Sequence, residues 1–117
     1  MRSFGRHKEQ AVGTRPDAEL ARAAQRGDKR AFVEIVARHQ AMVCGIALGI
    51  LGDFGTSEDA GQEAFLTAWR KIGELRDPEC LKGWLAQIAR NAALTELRRR
   101  RGHDELDEDL ILVERSL

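Results

Sequence analysis

Apolar residues recur at three- and four-residue steps through the middle of the chain, between Phe32 and Ile50. This spacing is typical of one buried face of an α-helix, because successive residues rotate by about 100° around the helix axis. Asp28 precedes the run as a candidate helix cap, and Gly52, Asp53 and Gly55 interrupt it. We therefore expect a long central helix whose stripe comprises Phe32, Ile35, Val36, His39, Val43, Ile46, Ala47 and Ile50.

Two further helices are predicted, one on each side of the central helix in the sequence. Asp17 is placed to cap a short first helix, and Gly27 suits its end. Thr56 and Asp59, three residues apart, resemble a capping box, in which side chains satisfy free N–H groups of the first turn. A third helix is therefore expected to follow, as far as about Lys71.

A fourth helix is predicted after a loop over residues 73–76. Asp77 can cap it, and Pro78 suits the first helical position, where the missing N–H costs no hydrogen bond. An apolar stripe that includes Leu81, Trp84, Leu85, Ile88, Ala89 and Ala92 follows. We expect this helix to run to Arg101, with Gly102 ending it.

The predicted fold class is all-α. No segment sustains a period-two alternation, and residues that favour strands are scarce. We expect a compact bundle of about four helices joined by short connections. Three parts are anticipated: a flexible arm over 1–15, the helical domain over 16–102, and an acidic linker or tail over 103–117.

Charge is distributed unevenly along this neutral chain. Residues 104–117 contain six acidic residues and one arginine, so they carry a net charge of −5, against +5 for residues 1–103. A modestly basic body followed by an acidic tail is compatible with a nucleic-acid-binding domain. No apolar run approaches the ~20 residues of a membrane span, and no signal peptide is recognisable. We expect a cytoplasmic location.

Sequence patterns of catalysis and metal binding are missing. There is no glycine-rich phosphate loop, HExxH, GxSxG or CxxC pattern. The three histidines, His7, His39 and His103, are far apart, and Cys44 and Cys80 stand 36 residues apart, as expected of reduced thiols. We therefore expect no enzyme activity, no metal site and no cofactor.

Three segments together carry a resemblance to a known family. They are SEDAGQEAFLTAWRK at 57–71, WLAQIARN at 84–91 and LRRRR at 97–101, and the opening AELARAAQRGDKRAFVEIVARHQ fits the same group. This combination resembles region 2 of bacterial sigma factors, most of all the extracytoplasmic-function (ECF) group, in which EDxxQExFxxAW and WLxxIARNxxxxxxRRRR recur. The resemblance covers about residues 17–101.

The resemblance implies that the third helix docks on core RNA polymerase. In the family, the DxxQE helix contacts the clamp helices of the largest polymerase subunit, which makes Asp59, Gln62 and Glu63 candidate contacts here, with Phe65 as a secondary candidate. An anti-sigma factor, where one exists, is expected to cover the same helix face. The alternative is that these acidic residues only cap and solubilise the helix.

The resemblance also implies that the fourth helix and the loop before it, over 73–79, read the minus-10 promoter element as single-stranded DNA of the non-template strand. The exposed candidates on that helix are Lys82, Gln87, Arg90, Asn91, Arg98 and Arg101. Amides can read base edges, and arginines neutralise phosphates. The arginine run could equally be a favourably charged helix end. Trp69 and Trp84 are assigned to the core.

The chain departs from the family pattern in three ways. The loop before the fourth helix, with Asp77, Glu79 and Cys80, is more acidic than is expected of a loop that faces DNA. Gly61 replaces the aliphatic residue usual between the aspartate and the glutamine, which is expected to loosen the third helix. Residues 102–117 are too short for the helix-turn-helix domain that usually follows in the family and reads the minus-35 element. The chain is therefore expected to be an isolated domain, a truncated product or a stand-alone protein. The alternative function is a sigma-like protein-interaction module, binding polymerase or an anti-sigma factor, without promoter recognition.

Overall fold

Four α-helices form the part of the chain that the structure, a computed structural model, describes: residues 15–104, with side chains as far as Gly102. They are α1 (Asp17–Gln25), α2 (Lys29–Leu51), α3 (Phe54–Lys71) and α4 (Leu81–Asp104). Two short 3-10 turns, Ile72–Glu74 and Pro78–Cys80, connect α3 to α4. The predicted all-α class is confirmed. The predicted arm up to residue 14 and the tail beyond residue 104 lie outside the described residues.

The start of α2 and the turn before it follow the prediction. The Asp28 carboxylate accepts hydrogen bonds from the backbone N–H groups of Arg30 and Ala31, at 3.0 and 3.2 Å. Gly27 has a φ of +93°, in the left-handed region where a side chain would be strained. The short α1–α2 connection therefore depends on a glycine and an aspartate that the sequence identifies.

The predicted caps of α1 and α3 are wrong. Pro16 occupies the cap position of α1, and the Asp17 carboxylate instead accepts a 2.9 Å hydrogen bond from Arg38 of α2. Asp53 caps α3: it accepts from the Thr56 N–H at 2.9 Å and from the Thr56 hydroxyl at 2.6 Å. The helix consequently begins at Phe54, within the stretch that was expected to interrupt the helices.

The α3–α4 connection is more ordered than the predicted loop. Residues 72–74 form a 3-10 turn, and Leu75 is buried. Asp77 accepts from the Glu79 N–H at 3.0 Å, so it caps the second 3-10 turn, and α4 begins only at Leu81. The predicted end of α4 is also wrong, because the helix continues through Gly102 to Asp104.

The core is built in levels along α2, α3 and α4. One end joins α1, the α3–α4 connection and the start of α4, the middle joins Val43, Ala64 and Ala89, and the other end joins Ala47, Leu51, Ala60 and Ala93. These levels show that α2 and α4 run in the same direction and α3 in the opposite one. Most of the buried apolar side chains described are alanines, so the helices approach closely.

By length and composition alone, α2 could cross a membrane, which differs from the expectation of no such run. The core helix of a soluble protein passes the same test, and α2 packs against the other three helices of the described bundle. It also carries Arg38 and the buried His39. This helix is therefore weak evidence for a membrane span.

Candidate functional site

The outward side of α3 forms a polar ridge. Asp59, Gln62 and Glu63 are exposed, while the opposite side of the helix buries Ala60, Gly61, Ala64 and Ala68. A groove runs along each flank of this ridge. Gln62 lines the groove towards α2, whereas Asp59 and Glu63 line the groove towards α4. The residues predicted to bind polymerase therefore border two surfaces rather than one.

The groove between α2 and α3 is mainly apolar, with a volume of about 630 Å³. Val33 and Leu66 on its walls are unusually exposed for large apolar residues, at 65% and 54%. Phe65 and Trp69 are half-buried and also line it. Its other lining residues are Lys29, Phe32, Val36, Gln40, Cys44, Glu58, Gly61 and Gln62. Such an apolar groove between two helices is suited to bind a helix of a partner protein.

Gly61 lies on the floor of this groove, where α2 and α3 approach each other. A Cβ atom at this position would stand 3.1 Å from Cys44 Sγ and 3.8 Å from Val43 Cγ1. The glycine therefore makes room for the cysteine. This contact gives Gly61 a packing role that the sequence-based expectation of a loosened helix did not include.

The groove between α3 and α4 is polar, with a volume of about 770 Å³. Asp59 and Glu63 line it from α3, and Gln87 and Asn91 line it from α4. The Gln87 amide donates a 3.1 Å hydrogen bond to Asn91 Oδ1. The two candidate base-reading amides thus share one face, as the four-residue spacing predicts, and they bind each other in the free chain.

The four consecutive arginines near the end of α4 have different surroundings. Arg100 donates to Asp53 Oδ2 at 2.8 Å, to Thr56 Oγ1 at 3.1 Å and to the Leu51 carbonyl at 3.1 Å. It thereby joins the end of α4 to the α2–α3 turn.

The other three arginines are exposed. Arg99 donates to Glu96, and this hydrogen bond raises the pKa of the guanidinium above its usual value. Arg98 and Arg101 have no ion pair or hydrogen-bond partner among the described residues, like the exposed Lys82 and Arg90 further back on α4. Sequence inspection does not separate these roles, because all four arginines occur in one uninterrupted run.

The α3–α4 connection is held from α1. Gln25 Nε2 donates to the carbonyls of Ile72 and Leu75, at 3.0 and 2.8 Å. Within the connection, the negative charge of Asp77 raises the pKa of the exposed Cys80 thiol, so this thiol is not activated as a nucleophile. The loop that is predicted to bind DNA is therefore held in place by α1, and its exposed side chains are partly acidic.

The described residues contain no group of three side chains that could hold a metal ion, and they show no histidine arranged for catalysis. His39 lies on the buried stripe of α2, as the spacing predicts, at 5% exposure. Its Nε2 atom lies 3.0 Å from Asp17 Oδ2, without the alignment of a regular hydrogen bond. The residue is part of the α1–α2 contact.

Residues outside the predicted set contribute to both grooves. Val33, Leu66 and Trp69 line the apolar groove, and Trp84 lines the polar one. Both tryptophans pack against the core with part of their surface and line a groove with the rest. Leu66 could have been found from the sequence, because it falls off the apolar stripe of α3.

Comparison with known proteins agrees with this architecture. The family described as sigma-70 region 2 matches residues 35–103, which is more than half of the chain. The chain belongs to the sigma-70 region 2 family. The match begins inside α2 and includes the arginine run, the polar groove and the apolar groove except for its lining residues Lys29, Phe32 and Val33. Proteins of this family are non-enzymatic regulators of transcription, which agrees with the expectation that the chain is not an enzyme.

Curated relatives place this region 2 domain in the ECF type. It is 45% identical over 83 residues to the probable RNA polymerase sigma factor RfaY of Xanthomonas campestris, covering 71% of this chain and 20% of the relative. It is 38% identical over 81 residues to the RNA polymerase sigma-H factor of Pseudomonas aeruginosa, covering 69% and 42%. It is 35% identical over 99 residues to the ECF RNA polymerase sigma factor SigM of Mycobacterium tuberculosis, covering 85% and 47%. The chain thus spans from a fifth to about half of these relatives' lengths.

Proposed function

We propose that this region 2 domain acts in transcription initiation, binding core RNA polymerase through α3 and the minus-10 promoter element through α4. The observation that carries the proposal is the arrangement of α3 between an apolar groove and a polar groove, the second of which continues on to the amide-bearing face of α4. A protein helix and a nucleic-acid strand can therefore occupy neighbouring surfaces without competing for one site.

Polymerase docking is supported by the chemistry of the α3 ridge. Asp59 and Gln62 are exposed, and the contact of Glu63 with Arg70 is long, at 3.6 Å, between side chains that are each about three-fifths exposed. A basic partner can displace such a weak surface pair at little cost. The clamp helices of the largest polymerase subunit would place apolar side chains in the α2–α3 groove, beside Phe65, and cations along the ridge.

Promoter binding is supported by the cations of α4 that have no ion-pair partner among the described residues. Arg98 and Arg101 are available for phosphates, with Arg90 and Lys82 further along the helix. Binding unpaired bases favours strand separation, because the single-stranded product is stabilised. We propose that Gln87 and Asn91 exchange their mutual hydrogen bond for base edges of the non-template strand, and that the 73–79 connection borders the same strand.

Capture of core polymerase tests the docking face. Gln62→Ala with Glu63→Ala should abolish retention, because both side chains are exposed contacts rather than core residues. Glu19→Ala is the matched control, since it removes an exposed acidic residue from α1. Circular dichroism checks that all chains are helical. Equal retention of the double variant and the control would refute docking through the ridge.

Binding of single-stranded minus-10 DNA in the presence of core polymerase tests the second face. Arg98→Ala with Arg101→Ala should weaken binding and reduce the salt dependence of log K by about 0.7 for each phosphate that the variant no longer neutralises. The control is Arg22→Ala with Arg26→Ala, which removes one exposed arginine from α1 and another directly after it. The same salt slope in both double variants would contradict phosphate binding by α4.

A protein-interaction module without promoter recognition is the second candidate. The mutual hydrogen bond of Gln87 and Asn91 favours it, since base edges would have to replace this bond. So does the apolar groove, which needs no nucleic acid. Retention by polymerase with no DNA binding in any variant would support this candidate. In either case, an anti-sigma factor that inhibits the domain should protect α3 from amide hydrogen exchange.

A further inference from the structure

The first helix, α1, lies before the residues that match the sigma-70 region 2 family, so the match assigns it no function. It packs against the α3–α4 connection, because Leu20 and Ala24 of α1 share a core cluster with Ile72 and Leu75. The last residue of α1, Gln25, is half-buried and bonds to the same connection. The helix therefore contacts the segment that is proposed to border the promoter strand.

One amide group holds the first turn of the connection at two points. Gln25 Nε2 donates to the carbonyl oxygens of Ile72 and Leu75, at 3.0 and 2.8 Å. Only a donor suits this position, because both partners are acceptors, and the two bonds use the two hydrogens of the NH2 group. The Ile72 carbonyl also accepts a hydrogen bond from the Leu75 N–H within the turn, at 3.2 Å. The amide of α1 therefore orients two peptide groups of one turn.

The amide is itself held in place by the end of α1. The N–H groups of Arg26 and Gly27 donate to the carbonyls of Ala23 and Ala24, at 3.0 and 2.9 Å. Both alanines are buried. Because the backbone that carries the donor is already ordered, holding the connection costs little additional conformational entropy.

The exposed side chains of the connection suit base edges better than phosphates. Glu74, Asp77 and Glu79 are exposed, and Arg76 is the one cation among residues 72–80 of the sequence. Carboxylates repel phosphates but accept hydrogen bonds from base amino groups. Such contacts require the connection to be placed within hydrogen-bond distance of the bases. A connection in a fixed conformation would therefore add sequence discrimination rather than general affinity.

We propose that Gln25 is the positioning residue for base recognition by the α3–α4 connection. By holding the carbonyls of Ile72 and Leu75, it keeps the connection in the conformation that distinguishes one base from another. The arginines of α4 supply the general affinity for the strand. The recognition role rests on the proposed function, whereas the hold of Gln25 on the connection does not.

Gln25→Met tests this hold in the full chain. Methionine keeps the neutral charge and the helix propensity of glutamine but has no donor. By NMR, exchange of the Leu75 amide hydrogen should become about fivefold faster or more, relative to that of Val43 in the core of α2. Asp28→Ala is the control, because it removes two hydrogen bonds at the start of α2 and none in the connection. An unchanged ratio of the two rates, or the same change in the control, would refute the hold.

Selection of single-stranded oligonucleotides tests the recognition role. A random pool of strands of about 12 nucleotides is bound to the complex of the full chain with core polymerase, and the recovered strands are sequenced. Core polymerase alone gives the background. The chain should enrich one sequence, and Gln25→Met should reduce this enrichment about fivefold or more. Retention by polymerase and the salt dependence of binding to the unselected pool should not change, because α3 and the arginines of α4 are untouched.

Three results would overturn the recognition role. Gln25→Met could enrich the same sequence as strongly as the unchanged chain. Asp28→Ala could lose the enrichment to the same degree, which would make the effect one of stability alone. An unchanged chain that enriches no sequence would refute the proposed promoter recognition, and the role of Gln25 in it. In that case, exchange at Leu75 still decides whether Gln25 holds the connection.

Discussion

Replacing Gly61 by alanine separates two opposed effects at the closest approach of α2 and α3. A glycine inside a helix costs about 1 kcal/mol relative to alanine, so the change should favour the helix. The new methyl group, however, would stand 3.1 Å from Cys44 Sγ, closer than side chains ordinarily pack. Cys44→Ala removes the sulfur atom, so Gly61→Ala should then stabilise the fold by its full amount.

The size of the expected coupling follows from these contacts. With Cys44→Ala present, Gly61→Ala should stabilise the fold by about 1 to 2 kcal/mol, from helix propensity and burial of one methyl group. With Cys44 present, the gain should be smaller by at least about 0.5 kcal/mol, because the sulfur must move. For a domain of this size, 1 kcal/mol corresponds to about 4–8 °C in Tm.

Urea unfolding of the four chains, followed by circular dichroism, measures this coupling. Gly49→Ala is the matched control, since Gly49 lies within α2, is exposed, and a Cβ there meets nothing within 4 Å. Gly49→Ala should stabilise the fold through helix propensity to the same extent with and without Cys44. A coupling between positions 44 and 61 below about 0.3 kcal/mol would refute the packing explanation of Gly61.

Two further predictions concern helix ends. Asp28→Ala should destabilise the domain by about 1 kcal/mol, because two N–H groups of α2 lose their acceptor, and urea unfolding measures this loss. Hydrogen bonds from Thr56, and then from Arg100, hold the pKa of Asp53 below its ordinary value of 3.8. The stabilisation that Asp53 provides is therefore complete above that pH and lost as pH falls through the lower folded-state pKa. Asp53→Asn should reduce the fall of Tm that accompanies acidification. An unchanged fall would contradict the stabilising role assigned to the Asp53 carboxylate.

Local sequence signals predicted the helices well, but they did not identify every cap. Asp28 and Gly27 act as predicted, since nothing else competes for them. Asp17 has the side chain of a cap, yet its carboxylate contacts Arg38 from a distant part of the chain. Near α3, both Asp53 and Thr56 offer suitable oxygens, and the choice between them depends on backbone geometry.

The candidate surfaces were less predictable than the helices, because they depend on which helix faces which. Sequence spacing placed Asp59, Gln62 and Glu63 on one ridge, as the structure does. It could not show that the ridge divides two grooves. Nor could it show that Arg100 turns inwards to Asp53, because that contact joins residues 47 positions apart.

The grooves follow from the composition of the core. Alanines at Ala60, Ala64 and Ala68 let α3 approach its neighbours, and a narrow interface has no room for large rings. Phe65 and Trp69 are therefore only partly buried and form groove walls, with the Trp69 ring 5.1 Å from that of Phe32. Larger residues at the alanine positions would separate the helices and distort both grooves. The small core residues of α3 thus determine the shape of the two grooves as much as the exposed residues do.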